Sequence, residues 1–177
     1  MSNIQFRVAA ANDATLVRTF IESAFRADDT RPNWVNDRGF GKNFCIDAET
    51  VNFTIAHPDK DWLLFSQPVT EDGLLRHSLV GCCGVRLQKP GVARLSMLSV
   101  ASSLQGNGVG RIVVAEAERF ARQKWNAKFM QLNAIDERDL LIGWYERQGY
   151  VKTGEVEVYQ LDVIGEMRFL IMEKNLA

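Results

Sequence analysis

Apolar positions along this chain recur in two periods, and the switch between them lays out its elements. Residues 4–8 alternate apolar with polar, the period-two pattern of a half-buried strand. Leu16, Val17, Phe20, Ile21 and Ala24 then fall at helical spacing and are expected to face inward, with Asn12 placed to cap a helix from about Asp13. Across residues 26–44 no long period survives, because Asp28, Asp29, Pro32, Asn33, Gly39 and Gly41 interrupt it. Residues 47–56 predict a second short helix, stopped ahead of Pro58. Three strands follow at 62–65, 79–87 and 93–100, divided by turns at Glu71-Asp72-Gly73 and Pro90-Gly91. Turns this short make consecutive strands antiparallel.

Helical spacing returns with Val109, Ile112, Val113, Ala117 and Phe120. The strand expected at 129–134 must then run parallel to 93–100, through a right-handed crossover. Leu140, Leu141, Trp144, Tyr145 and Gln148 mark another helix, ended by Gly149 as its C-terminal cap. Two late strands, 151–161 and 168–174, close the series. The order predicts an α/β fold: a mixed, mostly antiparallel central sheet of about seven strands flanked by about four helices. No stretch reads as a linker, repeat or low-complexity tract, so residues 1–177 are expected to form a single domain.

Composition narrows the function classes. With 46% hydrophobic and 24% charged residues in a 177-residue chain, the balance is that of a globular protein. A net charge of -1 argues against general nucleic-acid or membrane-surface binding, since neither polyanion is attracted at long range. Cys45, Cys82 and Cys83 cannot all pair, and two are adjacent, which suits reduced thiols in the cytoplasm. No apolar run approaches the ~20 residues of a membrane span. No His, Cys or Asp spacing suggests a metal site; Cys82 and Cys83 point to opposite faces if extended, and His57 and His77 read as isolated surface residues.

The candidate chemistry lies where the strand 93–100 meets the helix after it, at Leu104-Gln105-Gly106-Asn107-Gly108-Val109-Gly110-Arg111. The first turn of a helix has N–H donors without partners, and the peptide dipoles add positive potential there. Glycines let such a backbone close on an anion with no Cβ in the way. A P-loop needs Lys and then Ser or Thr after its last glycine, whereas Arg111-Ile112 follow here. A dinucleotide fingerprint needs glycine where Arg111 stands. What fits is Gln-x-x-Gly-x-Gly, from Gln105 through Gly108 to Gly110. A plain glycine turn is the alternative for the loop taken alone. Arginine beside a helix N-terminus is unfavourable, so Arg111 adds to the case for an anionic partner. Glu118 and Arg122 read as an i,i+4 pair on the helix face.

The loop resembles the pyrophosphate loop of the GNAT superfamily of acyl-CoA-dependent N-acyltransferases. Tyr145-x-x-x-Gly149-Tyr150 and the element order, over essentially the whole chain, are similar to that family as well. The resemblance implies acetyl-CoA as acyl donor and no metal. Gln105, Gly106, Asn107, Gly108, Val109 and Gly110 would hold the diphosphate, with Arg111 reaching a phosphate. The backbone of Leu98, Ser99 and Val100 would take the pantetheine arm. Tyr145 would protonate the leaving thiolate. Two departures stand out: Arg138, placed to approach a phosphate of the cofactor, replaces an Asn that meets the cofactor in many members, and Arg94 replaces a Glu base found in some. The base is then water or an acid from elsewhere, with Asp28, Asp29, Glu49 and Glu71 as candidates.

In the family the segment corresponding to residues 26–60 shapes the acceptor site, which makes Trp34, Phe40 and Phe44 candidate walls. A small-molecule amine or amino-acid derivative is the expected acceptor, acetylated by direct attack in a ternary complex. A peptide or protein N-terminus or lysine is the alternative. A monomer or homodimer is expected, without nucleic acid or membrane partners. Two non-catalytic readings stand beside this one: an acyl-CoA sensor, and a structural subunit whose glycine loop is only a turn.

Overall fold

The period-two segments assemble into one seven-stranded sheet in the order β1-β2-β3-β4-β5-β7-β6. A computed structural model of the chain describes residues 4–26, 45–161 and 165–177. Its strands are β1 (Gln5–Val8), β2 (Lys60–Glu71), β3 (Leu74–Lys89), β4 (Val92–Val100), β5 (Phe129–Ile135), β6 (Val151–Leu161) and β7 (Gly165–Asn175). The helices among the described residues are α1 (Ala14–Arg26), α2 (Ala48–Ala56), α3 (Val109–Trp125) and α4 (Asp139–Arg147). Neighbouring strands are antiparallel except β4 and β5, which run parallel across the α3 crossover.

Each face of the sheet has its own core. Leu63, Phe65, Cys83, Val85, Leu95, Met130 and Leu132 pack with α3 and α4. Trp62, Leu64 and Cys82 pack with Val17, Ile21 and Val51 of α1 and α2. Cys82 and Cys83 therefore do point to opposite faces. Fully burying each of the larger side chains contributes about 1.5–3 kcal/mol.

Several boundaries differ from the sequence reading. The strands expected at 62–65 and 79–87 are the buried halves of a longer hairpin closed at Asp72-Gly73, where φ values of 52° and 75° give a mirror-image turn. Its outer half exposes Leu74 and Leu75, so no buried face imposes an alternation to read. Asp13, not Asn12, secures the entry to α1: its carboxylate accepts the Ala10 amide at 2.7 Å and both Arg7 guanidinium nitrogens at 2.6 and 2.7 Å. Leu16, expected to face inward, is exposed. Glu118 and Arg122 do not pair with each other. Glu118 is buried and accepts from the Tyr150 hydroxyl at 3.0 Å and Lys174 Nζ at 2.7 Å. Arg122 donates to the Leu176 carbonyl at 3.2 Å.

The feature that positions the site is the parting of β4 from β5. They pair only at Val92–Phe129, Ala93–Met130 and Arg94–Gln131. Beyond that point β4 stays on β3, with a register slip between Cys82 and Gly84 opposite Met97, whose φ is +51°. The extra residue bends β4 away from β5 and leaves one strand edge open on each side of a wedge.

Candidate active site

A cavity of about 810 Å³ fills the wedge. Its walls include β4 from Arg94 to Val100, β5 from Leu132 to Ile135, the glycine loop, and Arg138, Leu141, Trp144 and Tyr145 around α4. The same space reaches Lys60, Trp62, Arg86, Tyr159 and Phe169 on the sheet face that α1 and α2 share.

At one end, Gly106 and Gly108 hold φ values of 81° and 84°, and a Cβ on either would project into open space. Gly108 is the N-cap of α3. The Gln105 and Asn107 amides close tight turns onto Ser102 and Leu104, each at 3.3 Å. Arg111 and Ile112 make the first bonds back to Gly108. The amides of Gly106, Gly108, Val109 and Gly110 donate to no backbone carbonyl among these loop contacts, which leaves a run of donors at a positive helix end. Gln105 fastens the loop to β4, its Nε2 donating to the Val100 carbonyl at 3.3 Å. Gly110 has a packing role: a Cβ there would meet Trp144 at 3.4 Å, so its absence lets α4 close on the start of α3.

Tyr145 lines the cavity from α4, the helix after β5, and is 6% exposed. Its ring is held edge-on by Trp144 at 5.0 Å and Tyr150 at 5.8 Å. Burial, aided by neighbouring Cys83 and opposed by Arg138, pushes its phenol well above the usual tyrosine range, so it stays protonated at neutral pH. Arg138 is buried at the N-cap of α4 and borders the same space.

Leu98, Ser99, Val100, Gln105, Gly106, Gly108, Gly110, Arg111, Arg138 and Tyr145 thus border one cavity. Asn107 is exposed beside it, and Val109 turns into the core between sheet and α3. Trp34, Phe40, Phe44, Asp28 and Asp29 lie outside the described residues. Glu49 is exposed on the first turn of α2, and Glu71 sits at the distal end of the β2–β3 hairpin.

One group went unread in the sequence. The Arg94 guanidinium donates to Asn133 Oδ1 and, at 2.8 Å, to Glu157 Oε1. Glu157 Oε2 accepts from Asn133 Nδ2 at 2.6 Å and from the Tyr159 hydroxyl at 2.8 Å. Burial alone would raise this carboxyl, but the Arg94, Tyr159 and Asn133 hydrogen bonds outweigh it and hold it below its ordinary range. Alternation across 151–161 puts Glu157 and Tyr159 on one face, yet what they meet depends on β7 standing between β5 and β6. Among the described residues no group of three or more His, Cys, Asp or Glu side chains is gathered for a metal ion. No helix there is long and apolar enough to cross a membrane.

Residues 28–150 match the acetyltransferase (GNAT) family. The structure is similar to an acetyltransferase of the GNAT family from Streptococcus pneumoniae, with a TM-score of 0.66 at 15% identity over 99% of this chain and 100% of that one. It is similar to a ribosomal-protein-alanine N-acetyltransferase from Brucella melitensis, with a TM-score of 0.66 at 19% identity over 97% and 99% of the two chains. It also resembles a spermidine/spermine N-acetyltransferase from Vibrio cholerae, with a TM-score of 0.65 at 15% identity over 98% and 92%. At such identities the likeness is one of fold. No curated protein gives a significant match to the sequence.

Proposed function

Since this chain belongs to the GNAT family of acetyltransferases, we propose that it transfers an acetyl group from acetyl-CoA to the primary amine of a small molecule or amino-acid derivative, by direct attack in a ternary complex. The observation that carries this reading is a single cavity shared by the open glycine-loop amides, the unpaired edge of β4 and the Tyr145 side chain. Residues 106–110 suit a diphosphate, with Arg111 and Arg138 as cationic neighbours. The β4 edge at Leu98, Ser99 and Val100 offers backbone groups to the amides of the pantetheine arm, as an added strand would receive them.

In the transfer, the C–N bond forms as the C–S bond breaks, and the amine surrenders one proton. Tyr145, neutral through the physiological range, delivers its phenolic proton to the departing thiolate and regains one from solvent. A free thiol has an ordinary pKa of about 8.5, so the transfer matters most while charge is developing on sulfur. Glu157 is a poor base here, because its carboxylate is committed to Arg94, Asn133 and Tyr159. Water takes the amine proton.

The test is a thermal shift with acetyl-CoA and CoA, followed by thiol release against a panel of amines, peptides with free N-termini and lysine peptides. Stabilisation by acetyl-CoA with thiol release on small amines is the expected result. Stabilisation without any release would leave an acyl-CoA sensor, a reading favoured by Arg94 and Arg138 at positions where family members carry Glu and Asn. No stabilisation by either ligand would overturn the donor site.

A further inference from the structure

The sheet carries three cations abreast beside the cavity. Lys60 of β2 is the direct cross-strand partner of Arg86 of β3, and Arg86 is the partner of Arg94 of β4. Partners in adjacent strands share a face, and like charges placed opposite each other there are destabilising. All three border the cavity. Arg94 is answered by Glu157. Lys60 rests over the Phe53 ring at 4.6 Å. Neither Lys60 nor Arg86 has a carboxylate partner among the described residues.

The surroundings reinforce the sign. Among the described residues that line the cavity, Lys60, Arg86, Arg94, Arg111 and Arg138 are cationic and none is Asp or Glu. This is no reflection of composition, since the chain has 22 acidic residues against 21 Lys and Arg. Two residues along β2 from Lys60, on the same face and opposite Gly84, Trp62 has a buried indole N–H without an acceptor among the described residues. The diphosphate does not account for the row. Arg94 and Val100 are separated by six residues of strand, at most roughly 20 Å at ~3.3 Å per residue before the bulge at Met97 shortens it, and the glycine loop lies beyond Val100. The row belongs to the opposite end of the cavity, where β4 and β5 first part.

We infer that the acceptor amine carries an anionic group, a carboxylate or a phosphate, that docks on Lys60 and Arg86, with Arg94 behind them. The inference rests on the transferase reading above and sharpens it. The anion neutralises Lys60 and Arg86 and turns the amine toward the wedge, where the thioester lies. Polyamines are repelled by the same charges, although one fold neighbour is a spermidine/spermine N-acetyltransferase. Fixed cations select by sign at the distance of a hydrogen bond, and they speed encounter at low ionic strength.

The experiment measures acetyl-CoA turnover on matched acceptors: amino acids and 5-aminopentanoate, their carboxamides, phosphoethanolamine beside ethanolamine, and 1,4-diaminobutane and spermidine. At least one anionic acceptor is expected to exceed its neutral counterpart by about tenfold in kcat/KM, with the gap narrowing as salt is raised. The carboxylate and phosphate arms identify which anion is preferred. Arg86→Gln should raise KM for the anionic acceptor about tenfold with kcat within about twofold, while Arg86→Lys keeps most of the preference. Arg86 is exposed, so the substitution does not threaten folding. Equal turnover of neutral amines or polyamines, or an unchanged KM in Arg86→Gln, overturns the role of the row and leaves the transferase standing. Absence of thiol release from every acceptor, with acetyl-CoA bound, overturns the transferase reading and this inference with it.

Discussion

Glu157 of β6 holds the Arg94 guanidinium of β4 at 2.8 Å, although β5 and β7 stand between their strands. The contact is possible because Asn133 of β5 reaches both partners and fills the gap. It keeps one member of the cationic row neutralised and fixed, while Lys60 and Arg86 remain available at the cavity.

Replacing Glu157 with Gln should cost about 1.5–3 kcal/mol at neutral pH, the range for a hydrogen bond to a charged group. The sign of the pH dependence follows from its carboxyl being held below the ordinary value of 4.5. Its stabilisation is complete above that ordinary value and is lost as pH falls through the lower, folded one. Urea denaturation of both proteins from pH 7 to pH 3 should therefore show the difference shrinking below about pH 4.5. A constant difference across that range would deny the carboxylate this role.

Tyr145→Phe keeps the aromatic packing against Trp144 and Tyr150 and removes only the proton donor. Turnover should fall about 10²- to 10⁴-fold, with acetyl-CoA affinity and melting temperature nearly unchanged. Because the phenol is displaced upward, the wild-type rate should rise with amine deprotonation and show no descending limb below about pH 10. An undiminished rate in Tyr145→Phe would remove the residue from the chemistry.

Gly108→Val places a branched side chain at a φ of 84° and aims its Cβ into the open space at the loop. The left-handed conformation costs about 1–2 kcal/mol or more for a non-glycine residue. Calorimetric titration with CoA should show affinity reduced at least about tenfold, since the side chain stands where the amides must meet the diphosphate. Full CoA affinity in a folded Gly108→Val protein would argue against the cradle.

The buried Glu118 joins Tyr150 on one side and Lys174 on the other. Tyr150→Phe should cost about 1.5–3 kcal/mol by deleting one hydrogen bond to a charged acceptor. Glu118→Ala should cost about 3–5 kcal/mol, because it strands Lys174 and the tyrosine hydroxyl together. A double-mutant cycle on Glu118 and Lys174 should return a coupling of about 0.5–3 kcal/mol, and additivity would show that the two do not act as a pair.

Local pattern in the sequence determined a good deal of this protein. The apolar period marked α1, α3 and α4, Pro58 bounded α2, the Asp72-Gly73 turn announced the hairpin, and the glycines of 106–110 announced a helix start rich in free amides. Each is a property of a few consecutive residues, whose φ/ψ preferences and side-chain spacing act without the rest of the chain. The Tyr-x-x-x-Gly-Tyr spacing singled out Tyr145 near the end of α4, and the structure places it at the cavity wall.

Only the tertiary structure decided which distant residues meet. Nothing within residues 92–100 says that β4 leaves β5 after Arg94, since that depends on a bulge at Met97 set against the register of β3. The insertion of β7 between β5 and β6 is what brings Glu157 to Arg94, and pairing across β2, β3 and β4 is what lines up Lys60, Arg86 and Arg94. Cross-strand neighbours are chosen by strand order and register. A slip of one residue would turn each of these side chains to the other face, and what prevents the slip is the burial of the two cores taken together.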